Sequence, residues 1–355
     1  MSELDGLTVP RVAFACQRTM TRLITGTTGF VGAHLTAKLA EEDGAVRVLV
    51  RDEAAARRKL GPVLDRVEVR VGDLTDPASL RGICDDVTCV IHTAIANMHT
   101  FAAGKGDADQ FAAVNTQGTV NLAREMLRAG TARLVHTSST AAMGTPPGEI
   151  SHEETPCDPR TPYQLSKRRA EEALLQLHAE EGLDVVIVRP CLVAGPGKKG
   201  GELLTLFKMC RRGQVPVFGG KTDMRKPLID VRDLVAALCL AADRGRPGEV
   251  YLVHSDGDHT LGDILAICGE LVGNPRPAIR IPMAVAKFAA HTTTPIARLF
   301  GVSPPLSPER LKLYLTSRHI DLTKARTELG YEPAHQGLME MLRPTYDDYV
   351  QSGQL

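Results

Sequence analysis

The first half of the chain alternates short apolar runs with longer amphipathic segments. Six apolar runs of four to seven residues have the character of strands: 22–25, 46–50, 67–71, 88–94, 133–139 and 184–190. Three of the intervening segments have the apolar spacing of helices: 30–42, 110–128 and 163–181. Because buried parallel strands read as continuous apolar runs, this alternation predicts an α/β fold with a doubly wound parallel sheet.

The steady alternation stops after Pro190, where glycine and lysine cluster in GPGKKGG at 195–201. We therefore expect one domain over 21–190 and a smaller α+β domain, mainly 191–355, that binds the substrate. Within the second half, 228–254 carries a helix pattern and a strand pattern that we expect to return to the first domain. A length of 355 residues fits two domains of roughly 150 residues or more.

Composition and charge narrow the class of partner. Lys+Arg and Asp+Glu number 42 each, which argues against nucleic acid, since proteins that bind it carry a basic surplus. No apolar run reaches the roughly 18 residues of a spanning helix, so no membrane partner is expected. Residues 1–20 lack the basic start and continuous apolar run of a secretory signal and are predicted to be a flexible tail. The eight cysteines form no CxxC pair, and we expect free thiols in a cytoplasmic protein.

The first strand runs into a glycine-rich turn, TGTTGFVG at 25–32, with glycines at Gly26, Gly29 and Gly32. In such a loop one glycine allows a tight turn, one the close approach of a pyrophosphate, and one the packing of the helix on the sheet. The free amides and dipole of a helix start favour the phosphates. The loop therefore predicts a dinucleotide site in a Rossmann-type sheet. Its neighbours are expected to join this contact: Thr28, Phe30 and Val31.

The ends of the second and third strands indicate which dinucleotide is bound. Arg51 stands about 25 residues after Gly26, where an arginine pairs with the 2′-phosphate of NADP and an acid would bind the ribose of NAD. NADP(H) is therefore favoured, and the neighbouring Asp52 leaves NAD(H) open. Asp73 and Leu74, in GDL after the third strand, are placed to contact the adenine, although Asp73 also suits an ordinary turn.

Candidate chemistry lies on the helix at 163–181 and on the strand before it. Tyr163 and Lys167 are spaced i and i+4, so they share one face of the helix. A free tyrosine has a pKa near 10, and a neighbouring ammonium lowers it toward a value useful for proton transfer. Ser139, at the end of the fifth predicted strand, suits a hydrogen bond to a substrate oxygen.

Together these motifs resemble the extended short-chain dehydrogenase/reductase family. The resemblance rests on TGTTGFVG, GDL, HTSST, Tyr163-x-x-x-Lys167 and RPCLVAGPG, and it covers about residues 21–335. DLTKARTELGYEP at 321–333 also looks like a C-terminal segment of that family.

The resemblance implies a role for each matching residue. Tyr163 would be the general acid and base, Lys167 its partner and Ser139 the catalytic serine, with Ser138 or Thr140 as alternatives. Asn115 would support a water in a proton relay. Five further residues would line the cofactor: Thr93, Ala94, Pro190, Leu192 and Val193.

Within this family the chain is most similar to the branch of dihydroflavonol reductases, which reduce ketones with NADPH. The dehydratases carry an acid after the catalytic strand, whereas this chain has Thr140-Ala141-Ala142. Epimerases tend to have an asparagine where Leu192 stands. We therefore expect hydride transfer to a ketone on a natural-product scaffold or a nucleotide-linked sugar.

A nucleotide-sugar 4-epimerase with retained NAD is the alternative. MRKPLIDVRDL at 224–234 resembles the segment where epimerases bind a phosphate, so Arg225 or Lys226 would serve, together with Lys198 in the glycine-rich loop. A solvated basic surface explains these cations equally well. Thr140 is a further candidate for contact with the substrate.

Three other expectations follow. No histidine has the spacing of a metal site, so no metal is expected. The family resemblance implies a homodimer through the helices at 110–128 and 163–181. A dinucleotide-sensing protein without activity is a second alternative, although such proteins commonly lose the Tyr and Lys pair that is present here.

Overall fold

The computed structural model describes residues 21–42, 45–96, 105–145, 150–255, 257–299 and 308–355. The predicted tail at 1–20 lies outside these residues. The strands are β1 Thr21–Thr25, β2 Val46–Val50, β3 Glu68–Val71, β4 Val87–His92, β5 Arg133–Thr137, β6 Ile150–Ser151, β7 Val185–Pro190, β8 Leu192–Ala194, β9 Val215–Phe218, β10 Leu228–Asp230, β11 Val250–Val253, β12 Ala278–Ile281 and β13 His319–Ile320.

The helices cover both faces of the sheet and build most of the second half. They are α1 Phe30–Glu41, α2 Glu53–Leu60, α3 Lys105–Phe111, α4 Gly118–Ala129, α5 Pro162–Glu181, α6 Gly201–Arg212, α7 Val231–Arg244, α8 Leu261–Val272, α9 Met283–Leu299, α10 Pro308–Leu315 and α11 Leu338–Gln351.

Seven parallel strands form the main sheet in the order β11-β7-β5-β4-β1-β2-β3. The chain winds outward from β1 in one direction through β2 and β3, and then in the other through β4, β5, β7 and β11. This is the doubly wound, Rossmann-type arrangement that the sequence predicts. Ligands of such sheets bind at the carboxyl edge where the strand order reverses, which here is the edge beside β1 and β4.

The sheet is buried on both faces, which explains its continuous apolar runs. Leu23 and Ile24 are adjacent in β1 and both fully buried, one packing on each side. One core contains side chains of α1 and α7, and the other those of α4 and α5. Alternate side chains of every central strand therefore meet a helix layer.

Segments from the second half return to the main sheet. β11 pairs with β7 in parallel and forms one edge, and α7 packs against α1. A separate core joins α6, α8 and α11. The boundary between two domains at Pro190 stays a prediction.

Two central strands end two residues earlier than the apolar pattern predicts. β4 ends at His92, and the next residue, Thr93, donates its hydroxyl to the carbonyl of Thr25 at 2.7 Å. β5 ends at Thr137, and Ser139 caps a short 3-10 turn by accepting a hydrogen bond from the amide of Ala141 at 3.1 Å. Side-chain bonds thus hold the chain just beyond the end of each strand, at the carboxyl edge of the sheet.

Candidate active site

The glycine loop is folded tightly against the end of β4. Gly26 has φ +76°, and a Cβ added there would lie 2.5 Å from the amide nitrogen of Ala94. A Cβ on Gly32 would lie 2.2 Å from the carbonyl oxygen of Gly26, so α1 approaches the loop as only glycine permits. The amide of Gly29 donates to that same carbonyl at 2.9 Å.

This geometry leaves a small-residue cradle at the start of α1. Thr28 and Gly29 are exposed, while Phe30 and Val31 are half-buried in the first turn of the 12-residue helix. That first turn contains no acidic residue. The residues therefore fit an anionic pyrophosphate, with the amides and dipole of α1 as its partners.

Arg51 follows β2 directly and is exposed. Its charge acts on Asp73 after β3, and the pKa of Asp73 is lowered by hydrogen bonds from Thr75 and, to a smaller extent, by Arg51. Asp52, the residue that left NAD open, caps α2 instead by accepting from the amide of Ala55 at 3.1 Å. One oxygen of Asp73 is held by the amide and hydroxyl of Thr75 at 2.8 Å each, as in an ordinary turn.

The other predicted cofactor residues are distributed along the carboxyl edge and behind it. Ala94 lies against Gly26, as described above. Leu74 is buried in the core that contains side chains of α4 and α5. Pro190 ends β7, and Leu192 and Val193 belong to β8, which pairs with β10.

Tyr163 stands in the first turn of α5, which has a complete N-terminal cap. Thr161 accepts from the amide of Gln164 at 3.3 Å, and the Gln164 side chain accepts from the amide of Thr161 at 3.0 Å. Phe111 packs against the phenol ring edge to face at 5.8 Å. The start of α5 is thus fixed by local bonds and by an aromatic contact that no sequence motif indicates.

The Ser139 side chain acts on Tyr163 and lowers the pKa of the phenol, against the larger effect of burial. The alternative Ser138 points elsewhere, because its hydroxyl donates to a carboxylate oxygen of Glu171 at 2.5 Å. Thr140, the other alternative, is buried in the 3-10 turn.

Lys167 is 3 % exposed and donates its ammonium to the carbonyl of Thr137 at 2.9 Å. Burial lowers its pKa to about 8, against the opposing effect of Glu171. The pKa of Tyr163 departs from the sequence prediction: burial raises it to about 12. The physical reason is that desolvation of the phenol outweighs the opposing effect of the Ser139 side chain, and the Lys167 ammonium bonds the end of β5.

Asn115 lies in a π-helical turn, Ala112–Gln117, between α3 and α4. It is 2 % exposed, accepts from the amide of Ala96 at 2.8 Å and donates to the hydroxyl of Ser166 at 3.0 Å. Its side chain therefore ties the end of β4 to α5, one residue before Lys167.

We call four charged side chains the cationic cluster: Lys198, Lys226, Arg318 and Glu202. The charges of all three cations act on the Glu202 carboxyl group, which in turn acts on the phenol. Lys226 donates to the carbonyl of Thr316 at 2.9 Å, and Arg318 donates to that of Gly144. Burial and the charge of Arg318 lower the pKa of Lys226 to about 8.

The cluster includes some of the predicted residues and adds others. Lys198 donates to the carbonyl of Val193 at 3.1 Å and lies over the ring of Phe30. Arg225 instead pairs with Asp258 at 2.6 Å and bonds the ring of His319 at 2.9 Å. Sequence reasoning missed Glu202 and Arg318, since neither lies in a recognisable motif.

The described residues contain neither a cluster of metal-binding side chains nor a helix that could span a membrane. No group of three or more His, Cys, Asp or Glu side chains there is arranged to hold a metal ion. Likewise, none of the helices placed in these ranges combines the length and apolar character needed to cross a membrane.

Comparison with known proteins agrees with this geometry. The model of the NAD dependent epimerase/dehydratase family matches residues 22–253. Sterol demethylase protein B of Methylococcus capsulatus is 34 % identical over 325 residues, covering 88 % of this chain and 94 % of that protein. The 4-hydroxy-2-methyl-3-oxo-4-farnesyl-3,4-dihydroquinoline-1-oxide ketoreductase of Stigmatella aurantiaca is 28 % identical, covering 91 % and 96 %.

A solved structure extends the similarity to the whole fold. The crystal structure of gox2253 has a TM-score of 0.81 at 28 % identity, covering 95 % of this chain and 99 % of that one. The fold and the site thus define an extended short-chain dehydrogenase/reductase. The chain belongs to the NAD dependent epimerase/dehydratase family and is an NAD(P)-dependent oxidoreductase.

Proposed function

We propose that this protein is an NADPH-dependent reductase of a small-molecule ketone, with Tyr163 as the proton donor. The observation that carries the proposal is the arrangement at the end of β5, where Ser139 acts on the pKa of the Tyr163 phenol and Lys167 donates to the last carbonyl of the strand at 2.9 Å. A ketone oxygen within reach of both hydroxyls would be polarised by one and protonated by the other.

The residues fit the cofactor in two places. The cradle at Gly26 and Gly32 excludes side chains where the pyrophosphate would bind, and the exposed Arg51 is available for a 2′-phosphate. NADPH preference is supported by the engagement of Asp52 in the cap of α2. When bound, the nicotinamide supplies the hydride, and the protein supplies orientation and electrostatics.

Each polar residue of the site then has a role in ketone reduction. Tyr163 gives its proton to the ketone oxygen, and Ser139 holds that oxygen in place. Lys167 holds a positive charge beneath the edge of the sheet, which favours the phenolate left after proton transfer. Asn115 keeps the turn before α4 in register with α5 through Ser166.

The names of the two relatives suggest the substrate class. One is named for sterol demethylation and the other for a ketone on a farnesylated quinoline oxide, and a sterol and a farnesyl chain are both large and apolar. We therefore place a natural-product ketone ahead of a nucleotide-linked keto-sugar.

One observation favours a second candidate, a nucleotide-sugar 4-epimerase with retained NAD. The cationic cluster carries three positive charges and one negative charge near Tyr163, a suitable environment for a diphosphate.

Cofactor content and net turnover test the two candidates together. The purified protein is denatured and its released dinucleotide quantified, and NADPH consumption is followed with a ketosteroid, a dihydroflavonol and a nucleotide-linked 4-keto-sugar. We expect little retained dinucleotide and net NADPH consumption with an apolar ketone. Tightly held NAD without net NADPH consumption would overturn the reductase in favour of the epimerase.

A further inference from the structure

A buried ion pair lies beneath the catalytic residues and has no role in the proposed chemistry. Glu171 is fully buried and Arg189 is 2 % exposed. The guanidinium binds the carboxylate in a fork, with Nε to Oε1 at 2.8 Å and Nη2 to Oε2 at 2.7 Å. Within the described part of the chain, Nη1 of Arg189 has no hydrogen-bond partner.

Such a pair is a poor device for stability alone. Removing two charges from water costs several kcal/mol per ion, and apolar residues of similar volume often stabilise a core as well or better. The directional fork between Glu171 and Arg189 therefore suggests that the pair positions the side chains next to it.

One connection from the pair leads to the serine. The hydroxyl of Ser138 donates to Glu171 Oε1 at 2.5 Å, and the amide of Ser138 donates to the carbonyl of Val188 at 2.8 Å. Val188 immediately precedes Arg189 in β7. The residue next to Ser139 is thus fixed from two directions at the point where β5 ends.

The other connection leads to the lysine. Glu171 is one helical turn after Lys167 on α5, and its negative charge favours the ammonium while burial disfavours it. The other titratable groups that interact with this ammonium are His92 of β4 and His136 of β5. Burial lowers the pKa of both imidazoles far enough that they stay neutral. The π-helical turn that packs on α5 contributes only the uncharged Asn115 and Thr116.

We propose that Glu171, held by Arg189, is a positioning residue for the catalytic pair: it fixes the strand end that carries Ser139 and keeps Lys167 charged. The inference rests on the proposed function. Glu171 touches neither of the two hydroxyls that would meet the substrate, so it acts through Ser138 and Lys167.

The substitution Glu171→Gln tests this role, because glutamine keeps the size of the side chain and removes its charge. Without the carboxylate, the ammonium of Lys167 loses its stabilising partner and the pKa of Lys167 falls. As the pH rises, activity that needs the ammonium should therefore disappear at a lower pH than in the wild type. We expect kcat for ketone reduction to fall at least tenfold, with the alkaline limb of its pH profile moved down by about one unit. KM for NADPH should change less than threefold.

Glu180→Gln is the matched control. Glu180 is an exposed acid on the same helix that accepts from the side-chain amide of Gln176 at 2.9 Å, and its loss should leave the pH profile unchanged. An equal shift in both variants, or none in either, would overturn the proposal. Ser138→Ala separates the two connections: we expect a lower kcat with the alkaline limb unmoved, and wild-type kcat would contradict the connection to Ser139.

A direct readout of the lysine distinguishes this inference from the proposed function. Protein labelled with 13C at lysine Cε is titrated by NMR without substrate, and Lys167 is assigned by comparison with Lys167→Arg. We expect the Lys167 titration midpoint to lie lower in the Glu171→Gln protein than in the wild type. An unchanged midpoint contradicts the inference even if the enzyme reduces ketones, and a lowered midpoint supports it even if no ketone is turned over. Thermal unfolding checks that the variant is folded.

Discussion

The glycine loop and the cationic cluster are built from different kinds of contact. The loop is defined by backbone atoms: a Cβ on Gly32 would meet the carbonyl of Gly26, and a Cβ on Gly26 would meet the backbone of Ala94 after β4. The cluster is assembled from Lys198, Glu202, Lys226 and Arg318, which span more than a hundred residues and come from three segments.

The glycine loop and the cationic cluster therefore constrain the sequence to different degrees. A backbone cradle tolerates very few sequences, because any added Cβ meets a main-chain atom. The cluster cations are long side chains held by carbonyl oxygens, and other side chains could replace them without disturbing the fold. We therefore expect substitutions in the glycine loop to impair cofactor binding, and substitutions in the cationic cluster to change substrate preference.

Between the two halves, Tyr163→Phe should have the largest effect on activity. Loss of the proton donor removes a contribution of about 10²- to 10⁴-fold, so we expect kcat for ketone reduction to fall about a thousandfold. NADPH affinity, measured by quenching or enhancement of cofactor fluorescence, should stay within a few-fold. Tyr314→Phe, an exposed tyrosine on α10, is the control and should keep full activity. Turnover that survives Tyr163→Phe unchanged would show that another group donates the proton.

Gly32→Ala tests the rigidity of the cradle. Its Cβ would lie 2.2 Å from the carbonyl of Gly26, so α1 must shift, and overpacking of this kind costs about 1–3 kcal/mol of unfolding free energy. We expect that loss in urea unfolding and at least a tenfold weaker binding of NADPH. Gly29→Ala, with its Cβ 3.0 Å from the same oxygen, should cost clearly less stability. Equal unfolding free energies for the two variants would contradict the geometry of the loop.

Arg51→Glu tests the cofactor preference. A charge-assisted hydrogen bond contributes about 1.5–3 kcal/mol, so the ratio of kcat/KM for NADPH to that for NADH should fall by about 10- to 100-fold. Arg57→Glu is the matched control, because Arg57 pairs with Asp65 on the surface of α2 and should leave the ratio unchanged. An unaltered ratio in Arg51→Glu would rule out its contact with a 2′-phosphate.

The smallest effects are expected in the cationic cluster. Lys226→Met should raise KM about three- to tenfold for a ketone that carries an anionic group and leave neutral ketones unaffected, since about 1 kcal/mol of attraction is lost. In the wild type the same KM should rise as the pH passes about 8, where Lys226 loses its proton. Arg225→Met is the control, because Arg225 is bonded to Asp258 and His319. A larger effect from Arg225 than from Lys226 would reverse our assignment.

The sheet and the cofactor half were predictable because their causes are local. Apolar strands such as β7 are buried along their entire length, and the glycine spacing follows from backbone contacts within one turn. Tyr163 and Lys167 share a helix face by the geometry of the helix itself.

Other features depend on contacts between distant segments, which sequence spacing does not contain. The pKa of Tyr163 was predicted in the wrong direction because burial of the phenol depends on Phe111 and on the surrounding fold. Glu202 and Arg318 were missed because only the folded chain brings them together. The early ends of β4 and β5 follow from side-chain bonds of Thr93 and Ser139 that the apolar pattern does not register.

Transfer of a labelled hydride tests directly whether NADPH reduces the ketone with Tyr163 as the proton donor. In a single turnover, NADPH deuterated at nicotinamide C4 on the transferred face should leave one deuterium on the carbinol carbon of the product. We expect Tyr163→Phe to form this product about a thousandfold more slowly than the wild type. Product without deuterium, or deuterium transfer at the same rate in both proteins, would contradict this mechanism.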